Sequence, residues 1–370
     1  MKTALNIKYL FLIISLITTG CVYDTTNIKT SPTLKTAANY KLIYEKQAYA
    51  SQKITFVTGS NLLAIADSSD IFIVNLNNKN TVKKLKTPDS MITLSAATES
   101  GKQFILATDT SAQVWDTKNW LLLNQFNAKQ LSKLSGVSPN DNILYFDGSL
   151  WSLDDYKKIR HSGEEINPGS YDFSDDNQYF IKSEHQFGAA IVSINDKNID
   201  ISTNRISDLE KVKFRNDNNY YASYDAKFIV EQGGYRAKTL GLFSTKNNDL
   251  LYSYEPDSRL TCWTIGDNNG VLVNLFNGDI VLLDDKLNIT HKWHIDNDHI
   301  HSCEKDNNNQ VWLGSKKSGL YKADLSSKTL TKILDSKNMI TDLEVSSDNK
   351  YLGTVEFLTG ESIVKVFELK

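Results

Sequence analysis

The chain has 370 residues, 41 Lys and Arg against 44 Asp and Glu, and a formal net charge of −3. No stretch concentrates basic residues, which sets nucleic acid aside as a partner. The length exceeds that of a generic single domain, but a closed array of short β repeats absorbs it without splitting into separate cores.

The first residues read as an export signal. Lys2 and Lys8 supply the positive start, Tyr9 to Ile17 the apolar run, and Thr18-Thr19-Gly20 the small residues before Cys21. The apolar run is too short for a permanent transmembrane anchor. The segment Ile17-Thr18-Thr19-Gly20-Cys21 resembles the lipobox of bacterial lipoproteins, with Thr18 standing where that family prefers Leu. The resemblance implies a signal peptide over 1–20, acyl chains on Cys21 and stable attachment to a membrane. Val22, rather than Asp, follows the cysteine, which in the family implies the outer membrane, facing the periplasm. An ordinary cleaved signal with an incidental cysteine is the alternative. Loss of Lys2 and Lys8 would leave 39 basic against 44 acidic residues, or −5. Residues 21–39 are rich in Thr, Asn, Lys and Ser and lack periodicity, so they read as a solvated tether, with the folded domain spanning 40–370.

From residue 54 onward one pattern recurs: an apolar strand, a turn of Asn, Asp, Ser or Gly, and a second apolar strand. Val137-Ser138-Pro139-Asn140-Asp141-Asn142-Ile143, Phe173-Ser174-Asp175-Asp176-Asn177-Gln178-Tyr179 and Val345-Ser346-Ser347-Asp348-Asn349-Lys350-Tyr351 are clear copies. Such turns need residues that tolerate positive φ or hydrogen-bond their own backbone, and the flanking β-branched and aromatic residues suit a pleated face. A third and fourth strand follow each copy, as in Gln113-Val114-Trp115-Asp116 and Gly278-Asp279-Ile280-Val281-Leu282-Leu283. First strands are expected near 54, 92, 133, 170, 211, 260, 299 and 340. A period near forty with four strands per unit predicts a closed all-β propeller of eight four-stranded blades, with seven as the alternative. The last unit shows only three strands, so Tyr40 to Tyr44 is expected to supply its fourth and close the ring.

These units resemble WD40-type blades, with Trp115-Asp116 where that family's namesake dipeptide ends a third strand. The Gly-His that opens those repeats is missing, and the style is closer to degenerate bacterial WD40-like and quinoprotein-like propellers. The resemblance implies a fold much more than a function.

Four histidines, His291, His294, His299 and His301, crowd a short segment with Asp296, Asp298, Cys303 and Glu304. Imidazoles and carboxylates ligate transition metals, and alternation would put His299 and His301 on one strand face. No recognised ligand spacing is present, so blade-end histidines without a metal are the expectation. Cys262 and Cys303 lie 41 residues apart, one repeat. Equal strand parity would point them the same way around the ring, leaving two free buried thiols, whereas a one-residue slip would turn them toward each other. No nucleophile elbow, phosphate loop, zinc-protease helix or calcium loop is present, so no catalytic residue and no cofactor are expected.

The interval from 211 to 260 is the longest, 49 residues, and its excess falls between the second and third strands of the fifth unit, residues 226–238. The fourth unit carries an enlarged connection over 183–188 at the corresponding place. Insertions in repeat proteins collect on a binding face, and aromatic residues and Arg dominate hot spots. His185, Phe187, Tyr235 and Arg236 are therefore the candidate partner-binding residues. The function expected is a membrane-anchored, non-catalytic scaffold holding a protein partner in the bacterial cell envelope. Alternatives are a lipoprotein like those assisting outer-membrane protein assembly, or a propeller enzyme or ligand-binding protein of quinoprotein type.

Overall fold

The recurring polar motif is a turn of fixed backbone shape. Ser138, Ser174 and Ser346 each accept through Oγ the N–H of the residue five positions on, Ile143 at 3.1 Å, Tyr179 at 2.9 Å and Tyr351 at 2.8 Å. The fourth residue of each turn is left-handed, with φ of 64° at Asp141, 54° at Asn177 and 54° at Asn349. Asn269 and Asn309 adopt the same conformation in two further copies, at 61° and 57°. Asn and Asp are the L residues that enter this region most readily, so backbone geometry accounts for their abundance.

The computed structural model describes residues 33–34, 40–48, 51–67, 70–87, 92–128, 135–161, 168–184, 188–194, 200–202, 209–215, 217, 219–224, 239–247 and 249–369. All regular structure among them is β-strand, arranged in eight antiparallel meanders. Blade 1 comprises Ser51–Val57, Leu62–Asp67, Asp70–Asn75 and Asn80–Lys86; blade 2, Ile92–Ala97, Gln103–Thr108, Ser111–Asp116 and Leu122–Asn127. Blade 3 comprises Ser135–Val137, Ile143–Phe146, Ser149–Ser152 and Lys158–His161; blade 4, Pro168–Phe173, Tyr179–Glu184, Gly188–Ser193 and Asp200–Ser202. Blade 5 comprises Leu209–Phe214, Tyr220–Tyr224, Thr239–Phe243 and Leu250–Tyr254; blade 6, Leu260–Ile265, Val271–Leu275, Asp279–Leu283 and Ile289–His294. Blade 7 comprises Ile300–Lys305, Gln310–Ser315, Leu320–Asp324 and Thr329–Leu334.

Blade 8 takes Met339–Val345, Tyr351–Leu358 and Glu361–Leu369 from the end of the chain and its outer strand, Tyr40–Ala48, from the beginning. That strand pairs antiparallel with Glu361–Leu369 from Tyr40↔Leu369 to Ala48↔Ser362. The expected closure is thus present, four residues longer than the Tyr40 to Tyr44 segment the sequence indicates. The count of eight blades also holds, and Trp115-Asp116 does end a third strand. Within the stretch read as a tether, Thr33–Leu34 pair in parallel with Thr331 and Lys332 on the outer edge of blade 7.

The core is divided into layers between blades. Alternate side chains of every strand face the preceding and following blade, and the buried apolar residues form eight clusters, one at each interface. The cluster joining Tyr44, Tyr351, Val364 and Val366 of blade 8 to Ile54, Phe56 and Leu63 of blade 1 closes the circle.

Because each blade is a meander running outward from the axis, its first-to-second and third-to-fourth turns lie on one face of the ring, the turn face. Its second-to-third hairpin and the link to the next blade lie on the other, the connection face. Every inner strand except that of blade 3 carries a register shift near its connection-face end, for instance between Leu260 and Cys262 and between Ile300 and Ser302.

Candidate functional site: the connection face and the channel

On the connection face, links between blades are held by polar side chains at strand ends. Asp279, 4% exposed, accepts from Lys292 Nζ at 2.8 Å and pairs with His294 Nδ1 at 2.8 Å. Burial alone would push the Asp279 carboxyl up, but the Lys292 and His294 hydrogen bonds and the Lys292 charge hold it below the usual carboxylate range. Gly278, with φ of 90°, lets the link from blade 6 to blade 7 approach closely: a Cβ there would lie 2.3 Å from the Ile295 oxygen and 2.7 Å from that of Asp298. Asp298 accepts from Ser318 Oγ, from the Lys317 N–H at 3.1 Å and from the His299 N–H at 2.8 Å. In blade 8, Glu356 accepts from Asn338 Nδ2 at 3.1 Å, Ser336 Oγ at 3.0 Å and Lys365 Nζ at 2.9 Å.

Above this framework stand exposed apolar hairpin tips. Phe276 of blade 6 is 47% exposed and packs on the His299 ring, centroids 4.5 Å apart. Phe357 and Leu358 of blade 8 are 47% and 43% exposed, and the blade 7 hairpin between them presents Lys316 and Lys317 to solvent. His299 and His301 are held below the ordinary imidazole range by burial and by the neighbouring Lys316 charge, so both rings are neutral at neutral pH. The expectation that the two would share a strand face needs correcting: His301 is the unpaired residue of the bulge between Ile300 and Ser302, and strand alternation breaks there. His291 lies on the outer strand of blade 6 against Trp293, centroids 4.5 Å apart. Among the described residues, no three of His, Cys, Asp and Glu come together to hold a metal ion.

The channel is lined by inner strands that tie one another's backbones. Ser170 Oγ accepts from the Val212 N–H at 2.7 Å and Asp172 from the Phe214 N–H at 2.7 Å, joining blades 4 and 5. Asp342 and Glu344 do the same for blades 8 and 1 at Ile54, 3.1 Å, and Phe56, 2.8 Å. Lys211 Nζ donates to the Trp263 carbonyl at 2.8 Å, and Thr55 Oγ1 to that of Ser95 at 2.8 Å. Burial pushes Asp172 and Asp342 up to about 6 and Glu304 up to about 7, and raises Glu344 well above its ordinary value. Cys262 and Cys303 are both free thiols.

Of the residues singled out from sequence, Cys21, His185, Phe187, Tyr235 and Arg236 lie outside the described residues. Their chain positions are still informative. Residues 225–238 follow Tyr220–Tyr224 and precede Thr239–Phe243, the second and third strands of blade 5, whose paired ends Tyr224 and Thr239 lie on the connection face. In blade 4 pairing continues to Glu184↔Gly188, so the enlargement expected there reduces to residues 185–187. Phe276, Phe357 and Leu358 went unnoticed in sequence. The available signal was an aromatic in the Phe276-Asn277-Gly278 tip, where turn chemistry favours polar residues.

No family model and no curated protein matches the sequence. Solved structures do match its fold. The C-terminal WD40 domain of Sif2 superposes with a TM-score of 0.71 at 12% identity, over 90% of this chain and 99% of that one. The β-propeller domain of Cps50 (Swd1) from Myceliophteria thermophila gives 0.56 at 12% identity, over 90% and 100%. The chain therefore has the fold of a WD40-type β-propeller, here with eight blades.

Proposed function

We propose that this chain is a non-catalytic scaffold of the bacterial cell envelope that holds a protein partner on its connection face. In this reading residues 1–20 are removed, Cys21 carries the acyl chains, and residues near 21–39 lead from an outer-membrane leaflet to the propeller in the periplasm. The observation that carries the reading is the set of exposed apolar hairpin tips, Phe276, Phe357 and Leu358, on the face where the strands flanking the longest insertion end. Exposed aromatic groups beside polar and basic neighbours such as His299, Lys316 and Lys317 fit a partner's hot spot and rim. The dense hydrogen bonding below them fits a rigid support rather than a reacting centre.

The test is photo-crosslinking in living cells from a reactive residue placed at Phe276, at Tyr235 and, on the turn face, at Lys286, with products identified by mass spectrometry. One protein captured from Phe276 and Tyr235 but not from Lys286 supports the reading. Capture confined to Lys286 contradicts it. For the anchor, Cys21→Ser is expected to move the protein from the membrane to the soluble fraction.

A further inference from the structure

The two cysteines stand one residue out of step on neighbouring inner strands and so face each other. In blade 6 the bulge falls between Leu260 and Cys262, and Cys262 pairs with Asn274. In blade 7 it falls between Ile300 and Ser302, so Ser302 is the counterpart of Cys262, and Cys303 lies one residue further, opposite Leu313. One residue of offset reverses the direction of a strand side chain. Trp263, beside Cys262, packs with Tyr221 and Leu242 of blade 5, so Cys262 faces blade 7. Ser302, beside Cys303, donates to the Ile340 carbonyl of blade 8 at 3.0 Å, so Cys303 faces blade 6. Both sulfurs pack against the apolar layer between blades 6 and 7, and both residues keep part of their surface open.

We propose that Cys262 and Cys303 form a redox modification site, a dithiol that a small-molecule disulfide of the glutathione class converts into a Cys262–Cys303 bond linking the inner strands of blades 6 and 7. Cys303 is the attacking sulfur. The neighbouring Cys262 thiol and the Lys211 and Lys213 charges favour its thiolate, against burial and the Glu304 charge. Cys303 Sγ attacks one sulfur of the reagent and expels one small thiolate, leaving a mixed disulfide. Cys262 loses its proton and attacks Cys303 Sγ, expelling the second. In sum, two protein thiols and one small disulfide become one protein disulfide and two small thiols. Cys262 Sγ also accepts from Asn274 Nδ2 at 3.2 Å, which holds it at the interface until that second step.

Neither a protein partner nor the membrane anchor enters this chemistry, so the purified full chain tests it. The chain is equilibrated in glutathione redox buffers, alkylated, digested and mapped by mass spectrometry. The expected product is one peptide pair joined through Cys262 and Cys303, reversed by dithiothreitol, with the thermal midpoint of the oxidised chain higher by about 5 °C. Cys262→Ala and Cys303→Ala are each expected to abolish both effects. Recovery of both residues as alkylated thiols under oxidising buffer, a glutathione adduct that never resolves, or a bond from either to Cys21 would overturn the proposal.

Discussion

Glu344 accepts a 2.8 Å hydrogen bond from the Phe56 N–H, and through it the inner strand of the last blade is tied to that of the first. With Asp342 bonded to Ile54, the ring's seam is joined at the channel as well as at its outer edge. Burial holds the Glu344 proton on, with the Phe56 N–H opposing and the neighbouring Asp342 and Glu304 charges adding to the rise.

The pH dependence follows in sign. Asp172, Asp342, Glu304 and Glu344 all have folded values raised above their unfolded ones. Their contribution is fully present below the unfolded values and is lost as pH rises through the folded ones, near 6 and 7 for those with a stated value. From about pH 5 to about pH 8 the fold should lose on the order of 5 kcal/mol, read as a falling thermal midpoint. Glu344→Gln, which keeps an acceptor and cannot ionise, should flatten part of that fall. A midpoint that rises toward about pH 8 would refute the assignment.

The opposite limb belongs to the connection face. Asp279 and Asp298 have depressed folded values, so their contribution is present above the unfolded carboxylate value and is lost as pH falls through the folded ones. Asp279→Ala should cost about 2 kcal/mol at neutral pH by leaving Lys292 and His294 without their buried acceptor. Its destabilisation relative to the parent should shrink under acid conditions. Equal loss at every pH would show that packing, not charge, sets the effect.

Gly136 gives a packing test between blades 3 and 4. A Cβ there would lie 2.0 Å from Tyr171 Cε2 and 2.2 Å from its Cζ, in a ring cluster with Tyr145 and Phe180. Gly136→Ala should cost about 1–3 kcal/mol by overpacking. At Gly59 nothing lies within 4 Å, and only its φ of 69° resists a side chain; Gly59→Ala should cost about 1–2 kcal/mol, by backbone strain alone. Denaturant midpoints of the two variants, measured together, check the ranking.

Much of the ring was legible because its turns repeat a backbone requirement. The left-handed positions of the first-to-second turns, Asn177 and Asn349 among them, favour Asn, Asp or Gly, and the spacing of those turns revealed the blades. The facing of Cys262 and Cys303 was not legible, because the two inner strands are 40 residues apart in register, Thr261 to His301, while the cysteines are 41 apart, and the sequence pattern does not fix the repeat to one residue. Both positions sit at the channel rim, where polar residues are tolerated on either side of a strand. The bulge at His301 undid the expectation that His299 and His301 share one strand face. The insertion was placed correctly between strands because its length, not its composition, marked it. Phe276 escaped notice because solvent exposure of a lone aromatic is a tertiary property.

Phe276→Ser separates stability from binding. The ring is 47% exposed and packs on His299, so the substitution should cost only about 1 kcal/mol of stability. It should also weaken capture of the partner from a reactive residue at Tyr235. Unchanged capture would remove Phe276 from the interface.

The outer strand Tyr40–Ala48 tests the closed ring most directly. Tyr44 and Ala48 are 8% and 2% exposed, and Lys46 Nζ lies 3.9 Å over the Phe72 ring of blade 1. Without the strand, the edge of Glu361–Leu369 is unpaired and the layer between blades 8 and 1 opens. Thermal unfolding of chains beginning at residue 40 and at residue 49 should give a single cooperative transition for the first. The second should unfold at least about 10 °C lower or without cooperativity. Coincident transitions for the two chains would contradict a ring closed by its own N-terminal strand.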